Sequence, residues 1–365
     1  MYSFDPTDEQ QMLVEAVGKY ASNDLRAAAR AAEEGGELPN KLVSKGWELG
    51  LLQASIPEAY GGFGERSAVT GVLALEEMAY GDLAGALAVI TPSLFATPIL
   101  LAGNEEQKQA YLPKVIESDW RPYTAALIEY VFDFDPNALK TTATFKGEEF
   151  ILRGEKAFVP FAREAESILV YANLDGQTQG FLVAKNTPGL VIAHERERLM
   201  SLNALPFYRV HLDDVKVPVS KRLGGAVGHD FEPLLAAMRL AIAAMAVGVA
   251  NAAFEYSMNY AKEREAFGVK IAQKQAIAFM LAEMRTEIEA SRLLTWEAAW
   301  KLDTGKEDAF VEAYLAATGA ADMAMIVTDR AVQILGGHGY IREHPVEMWM
   351  RNGRGFATFT GLAIV

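Results

Sequence analysis

The sequence contains no cysteine. That excludes disulfides, thiolate metal sites, iron–sulfur clusters and cysteine nucleophiles together. Histidine is scarce. The five residues, at positions 194, 211, 229, 338 and 344, are scattered, and no two have metal-ligand spacing on a helix. Cations are in deficit, with 34 Lys and Arg against 48 Asp and Glu, a net charge of −14. A chain this acidic lacks the clustered cations that a phosphate backbone requires, so no nucleic acid partner is expected. Gly-x-Ser-x-Gly, the P-loop and a Gly-x-Gly-x-x-Gly after a strand are all missing, which removes the common serine hydrolase, nucleotide hydrolase and dinucleotide signatures. Met1–Pro6 carries neither a basic region nor an apolar stretch, so no secretory leader is expected and the location is expected to be cytoplasmic.

Long apolar runs are also short of a membrane span. The uncharged run 83–103 is interrupted by Pro92 and Pro98, and Leu240 to Phe254 has 15 residues against the ~20 that a span needs. Both are expected to be buried helices, with no membrane partner. What the sequence does have is 51% apolar and 22% charged residues over 365 positions, an ordinary globular composition with room for two or three domains.

Three zones follow along the chain. Residues 1–121 read as helices. Asp8 to Lys19, Asn23 to Glu34 and Ala68 to Tyr80 have helical spacing. Asp5 and Thr7 are candidate caps, Pro57 to Gly64 is a loop, and Asn104 caps a helix opening on Glu105-Glu106. Residues 122–232 read as a small β domain. A hairpin is expected over Thr141–Phe145 and Phe150–Leu152, with strands at Ser167–Tyr171, Gly180–Ala184 and the alternating Tyr208–Val217. Residues 233–365 return to helix in three long runs, Pro233–Glu263, Ala272–Leu302 and Ala309–Leu335. The first is Ala-rich and apolar nearly all round, as in the core of a bundle or oligomer. The methionines at 258, 280, 284, 323 and 325 have core-like spacing.

Two glycine-bearing segments stand out: Arg264-Glu265-Ala266-Phe267-Gly268, and Gln333-Ile334-Leu335-Gly336-Gly337-His338-Gly339-Tyr340. Each offers backbone that a ligand can approach closely. Arg264 adds a forked cation suited to pyrophosphate, and Gln275 and Gln333 add neutral hydrogen bonds. Both segments also read as plain helix C-caps.

The chain resembles the acyl-CoA dehydrogenase family over nearly its whole length. Eight segments occur in the family's order: Pro57–Gly64; Glu76–Asp82; Gly103–Lys108 with Tyr111–Pro113; Gly154-Glu155-Lys156; Asp214–Pro218; Arg264–Gly268 with Gln275; Gln333–Tyr340; and Pro345-Val346-Glu347. The resemblance implies an α+β fold of an N-terminal helical domain, a middle β-barrel domain and a C-terminal four-helix bundle. It implies oxidation of an acyl-CoA across its α and β carbons. A carboxylate takes the α proton, FAD takes the β hydride, and an electron-transfer flavoprotein takes the electrons.

The departures from the family fall where that chemistry lives. The position of the family's glutamate base is Thr360, in a sequence that runs to Val365, and the alternative position is Met238. The flavin-contacting Ala-Leu-Thr-Glu-Pro stretch reads Ala126-Leu127-Ile128-Glu129-Tyr130, and the small residues that follow become Val131-Phe132-Asp133-Phe134. The Trp-Ile-Thr stretch becomes Phe158-Val159-Pro160, and proline has no N–H. Tyr130, Phe132 and Phe134 are expected either to plug the site or to meet a partner, and Glu129 reads as a surface or domain-contact charge.

Arg264, Phe267, Gln275, Gln333, Ile334, Leu335, Gly336 and Gly337 match the family residues that reach a neighbouring subunit's FAD and hold its ADP portion. The resemblance therefore implies a non-catalytic subunit of a heterotetrameric (α2β2) dehydrogenase, inactive alone. FAD would be shared with a catalytic partner, and the substrate would be a bulky acyl-CoA such as a steroid side chain. A flavin monooxygenase of the same fold and a flavin-free structural or regulatory homologue are the alternatives.

Overall fold

The computed structural model describes residues 4–365, so Met1–Ser3, on which the leaderless reading partly rests, lie outside the described residues. The N-terminal part is helical: α1 (Asp8–Tyr20), α2 (Arg26–Gly35), α3 (Asn40–Trp47), α4 (Leu51–Ala54), α5 (Ala68–Gly81), α6 (Leu83–Ile90), α7 (Ser93–Ala102) and α8 (Glu105–Val115). Thr7 caps α1 and Asn104 caps α8. Each accepts from a backbone N–H three residues on, while a glutamine at that position reaches back. One turn of wider π-helix, Ala21–Leu25, joins α1 to α2. Pro92 begins the break between α6 and α7, which bend by 49°.

The middle part is an open, curled seven-stranded sheet among the described residues: β1 (Thr124–Ala126), β2 (Thr142–Lys146), β3 (Glu149–Pro160), β4 (Ser167–Leu174), β5 (Gln177–Ala184), β6 (Leu190–Ile192) and β7 (Phe207–Pro218). Its order is β1-β4-β2-β3-β7-β6, with β5 on the other side of β4. The β3–β7 pairing slips twice, between Leu152 and Gly154 and between Lys156 and Val159. Such bulges bend a strand and re-aim its side chains.

The C-terminal part holds α9 (Glu232–Glu263), a two-stranded hairpin of β8 (Glu265–Ala266) and β9 (Val269–Lys270), α10 (Gln275–Asp303), α11 (Ala309–Leu335) and α12 (Val346–Gly355). Among the described residues, two helices are long and apolar enough to cross a membrane, Glu232–Glu263 and Ala309–Tyr340. In the first, 89% of the apolar window is buried within the chain, against α5, α10 and α11. Gly248 permits this packing: a Cβ there would stand 2.1 Å from the Glu76 carbonyl oxygen of α5. Met284 and Met323 are buried as expected, while Met325 faces outward.

Charge ties the three parts together. The buried Glu33 carboxylate on α2 accepts from the Asn203 N–H and Nδ2 at 2.8 Å each and from Arg351 Nη1 of α12 at 2.6 Å. A second buried carboxylate, Asp82, caps α6 by accepting from the Gly85 N–H at 2.7 Å. Burial pushes its carboxyl up to about 6, against that bond. A folded chain with a raised pKa holds more protons than the unfolded chain between about 4 and 6, so stability falls as pH rises through that window. Asp82→Asn keeps the cap and removes the buried charge. It is expected to raise stability by up to about 3 kcal/mol at pH 8 and about half as much at pH 5, measured by denaturant unfolding.

Candidate functional site

Segment 127–134 leaves β1 and crosses the mouth of the sheet. Leu127, Ile128 and Glu129 are buried. Glu129 is not a surface charge. Its carboxylate receives Lys156 Nζ at 2.8 Å, the Lys140 N–H at 2.6 Å and the Thr141 N–H at 2.8 Å. Lys156 is fully buried and also donates to the Leu127 carbonyl at 3.0 Å. Burial pushes the Lys156 ammonium down to about 8, against the attraction of Glu129. Burial also raises the Glu129 carboxyl, but Lys156 and the N–H donors outweigh it and hold it below its usual range. The pair pins the segment to β3, in a pocket too dry to leave either charge alone.

Beyond Glu129 the chain turns outward. Tyr130 is largely exposed and Phe132 fully so, while Phe134 is half-buried. These rings do not plug the site. A cavity of about 480 Å³ remains, lined by all three rings together with Ile128, Phe158 and Thr358, with the exposed Phe132 at its rim. Phe158 sits on the second bulge at φ 53°, a left-handed conformation uncommon for a bulky residue. Glu197 fixes it there by accepting the Phe158 N–H at 2.5 Å. Arg209 lies 4.4 Å over the Tyr130 ring and pairs with Glu197 at 3.0 Å. Ile128 and Pro160 stand where the resemblance implies a hydroxyl and an N–H, so these two positions offer a flavin ring neither donor.

Neither expected base position holds a carboxylate. Met238 is fully buried on α9, and Thr360 is half-exposed after α12. Thr360 lines a second cavity of about 260 Å³ together with Arg239, Tyr314 and Asp322. Past it, residues 361–365 fold back towards α5, where Arg66 donates twice to the Val365 main-chain oxygen at 2.9 and 2.8 Å.

The two glycine-bearing segments lie at the other end of α9. Arg264 ends that helix, and Phe267-Gly268 forms the two-residue turn of the β8–β9 hairpin, with φ of 56° and 80°. Those positive angles define a I′ turn, so Gly268 is a hairpin glycine and not a helix cap. Phe267 is 94% exposed at the tip. Gln275 opens α10. Gln333 lies in the last turn of α11, Ile334 and Leu335 are buried, and Gly336 (φ 59°) is the cap residue. Tyr260 joins the two segments: one turn before Arg264, its hydroxyl bonds His338 Nδ1 at 2.6 Å. His338 in turn stacks on His344 at 5.5 Å, and His344 Nδ1 bonds Tyr256 at 2.7 Å. The side chains of Arg264, Gln275 and Gln333 make no polar bond within the described residues, and a Cβ at Gly336 or Gly337 would meet open space. Free donors beside accessible backbone suit an anionic, pyrophosphate-like group.

Lys156 and Arg239 carried no assigned role in the sequence. Strand register offered a signal for the first, since Phe150, Leu152 and Lys156 share the inward parity of β3.

Family models for the acyl-CoA dehydrogenase N-terminal, middle and C-terminal domains match residues 7–119, 127–215 and 231–363. The chain belongs to the acyl-CoA dehydrogenase family. It is 35% identical over 362 residues to an acyl-CoA dehydrogenase of Bacillus subtilis, spanning 95% of this chain and 93% of that one. It is 33% identical to cyclohex-1-ene-1-carbonyl-CoA dehydrogenase of Syntrophus aciditrophicus, spanning 97% and 87%. Butyryl-CoA dehydrogenase of Megasphaera elsdenii superposes with a TM-score of 0.88 at 31% identity, covering 99% of this chain and 96% of that one.

Lys156→Met strands the Glu129 charge in the interior and is expected to destabilise the chain by about 3–5 kcal/mol. The double substitution Glu129→Gln with Lys156→Met removes both buried charges and keeps one acceptor oxygen, enough for one of the two backbone N–H groups. It is expected to recover more than half of that loss, measured by denaturant unfolding of both variants.

Proposed function

We infer that this chain is the non-catalytic subunit of a heteromeric acyl-CoA dehydrogenase, lending the ADP-binding half of an FAD site to a catalytic partner. The observation that carries this reading is the contrast between its two ends. Arg264, Gln275 and Gln333 stand with free donors on an exposed arm, while Met238 and Thr360 stand where the base belongs.

Bound FAD would supply the hydride acceptor for α,β-dehydrogenation. This chain's part is binding and orientation. The Arg264 fork holds a pyrophosphate oxygen pair, and Gln275 and Gln333 donate neutral hydrogen bonds. Gly336 and Gly337 let the ligand approach the backbone, and Phe267 covers an apolar surface across the interface. The catalytic carboxylate and the ring pocket come from the partner, and electrons leave to an electron-transfer flavoprotein. The exposed Val311, Leu315, Met325 and Ile326 of α11 give the assembly an apolar face to bury. The substrate class is a CoA thioester with a bulky acyl group, for which steroid side chains are the leading candidates. The relative named for a cyclohexenecarbonyl-CoA supports a cyclic acyl group.

The test is co-expression with a glutamate-bearing dehydrogenase, followed by measurement of FAD per protomer and acyl-CoA oxidation. One FAD per two chains, with activity only in the complex, is expected. FAD binding and acyl-CoA oxidation by the chain alone would overturn the reading. In the complex, Arg264→Ala is expected to weaken FAD retention at least tenfold, read by flavin absorbance after gel filtration.

A further inference from the structure

The joint between the sheet and α9 is the loop from Arg222 to Phe231. Gly224, Gly225 and Gly228 are left-handed, with φ of 77°, 66° and 74°, and they turn the loop back onto β5. On the α8 side, Gln107 Oε1 accepts from the Gly224 N–H at 3.0 Å. On the β5 side, three bonds converge on His229. Its main-chain N–H donates to Gln179 Oε1 at 3.2 Å, its carbonyl accepts from Gln179 Nε2 at 2.8 Å, and its ring Nε2 accepts from the Gly180 N–H at 3.0 Å.

The ring's partners fix its protonation state. A backbone N–H only donates, so Nε2 carries no proton. Nδ1 lies 3.0 Å from the Asp230 carbonyl, which only accepts, so Nδ1 carries it. The imidazole is neutral, in the Nδ1–H tautomer. A second proton, on Nε2, would point at the Gly180 N–H. Two donors would then face each other, and the buried Gly180 N–H would be left without an acceptor.

The charges around the ring act on that second proton. Arg222, from the turn after β7, donates to Gln179 Oε1 at 3.0 and 2.8 Å and to the Ala226 carbonyl at 3.2 Å. It has no carboxylate partner among the described residues, and its charge repels a proton on the ring. Asp230, in the loop itself, attracts one. β5 and α8 present Gln179, Gln107 and Asn104, which carry no charge. Lys221 donates to the Tyr111 hydroxyl of α8 at 2.7 Å, and Glu232 at the start of α9 acts on Arg239. Burial holds the His229 imidazole below its usual range, with Arg222 adding to the effect and Asp230 opposing it. A lowered value in the folded chain means that the unfolded chain binds more protons, so stability is full above pH 6.5 and lost as pH falls through the folded value.

We propose that His229 is an acid-sensitive latch, which locks the joint between the sheet and α9 onto β5 when neutral and releases it when protonated. Acid breaks the ring bond and sets an imidazolium beside Arg222, with both residues anchored on Gln179. The loop then leaves β5, while Gln107 still holds its Gly224 end to α8 through an amide that does not titrate. The latch is the chain's own and stands apart from the subunit assignment.

The experiment uses the full chain alone. Hydrogen exchange is followed by mass spectrometry at pH 8 and pH 5, corrected for the intrinsic pH dependence of exchange. Peptides covering 179–181 and 224–230 are expected to lose protection about tenfold at pH 5, with the α9–α11 core unchanged. His229→Gln, which cannot take up a proton, is expected to show no such loss. Histidine ¹⁵N spectra of the parent are expected to show His229 as the Nδ1–H tautomer, titrating at lower pH than in the urea-unfolded chain. Equal protection of the parent at both pH values would overturn the proposal. So would an unaltered acid response in His229→Gln, an Nε2–H tautomer, or titration at or above the unfolded value. The spectra and the exchange of the parent decide the matter even if His229→Gln does not fold.

Discussion

A helix without a polar face has to be surrounded. α9 presents buried residues on nearly every side from Leu234 to Phe254, and that constraint arranges the rest of the chain. α5 covers one side and α10 and α11 cover the others, so the N-terminal and C-terminal helical parts share one core instead of packing as separate bodies. Small residues make the fit possible. The Ala-rich sequence lets neighbouring helices approach, and Gly248 admits the α5 backbone where a methyl group would collide with the Glu76 carbonyl. The sheet keeps a smaller core of its own and docks on this assembly through α7 and the loops around β1.

Apolar packing is non-directional, and the orientation of the parts comes from a few buried ions. Glu33 meets Asn203 and Arg351, so one carboxylate receives donors from the other two parts of the molecule. Glu129 and Lys156 play the same role within the middle part, holding the segment that frames the cleft. Neither pair stands out as a source of net stability, because desolvation offsets most of the attraction. Their effect is to make alternative dockings costly, since each would leave a charge unpaired in the interior.

The long periodic elements were legible in the sequence. α1, α5, α8, α9 and α11 begin or end within a residue or two of where spacing and caps put them, and β7 follows its alternation. The short helices α3 and α4, the edge strands β1 and β6 and the π turn were not legible, because each is fixed by tertiary contact and not by local pattern. The site divides the same way. The two glycine-bearing segments were visible as ordered residue types, but the Tyr260–His338 bond that joins them spans 78 residues and leaves no local trace. Tyr130, Phe132 and Phe134 were visible as bulk. Their direction depends on a buried Glu129–Lys156 pair 27 residues apart, which composition does not reveal.

α9 also sets a length. Arg239 lies near its start and Arg264 caps its end, 25 residues apart, which is about 37 Å along a straight helix. A hydride passes only between atoms in near contact, and no dinucleotide reaches that far from its pyrophosphate. The arm of one chain therefore cannot serve the cleft of the same chain. On the proposed reading, with the Arg264 donors at one end of this rod and the Arg239 cavity at the other, each chain would contribute to two different sites. On that same reading, the smallest unit in which the two ends could meet is a pair of chains.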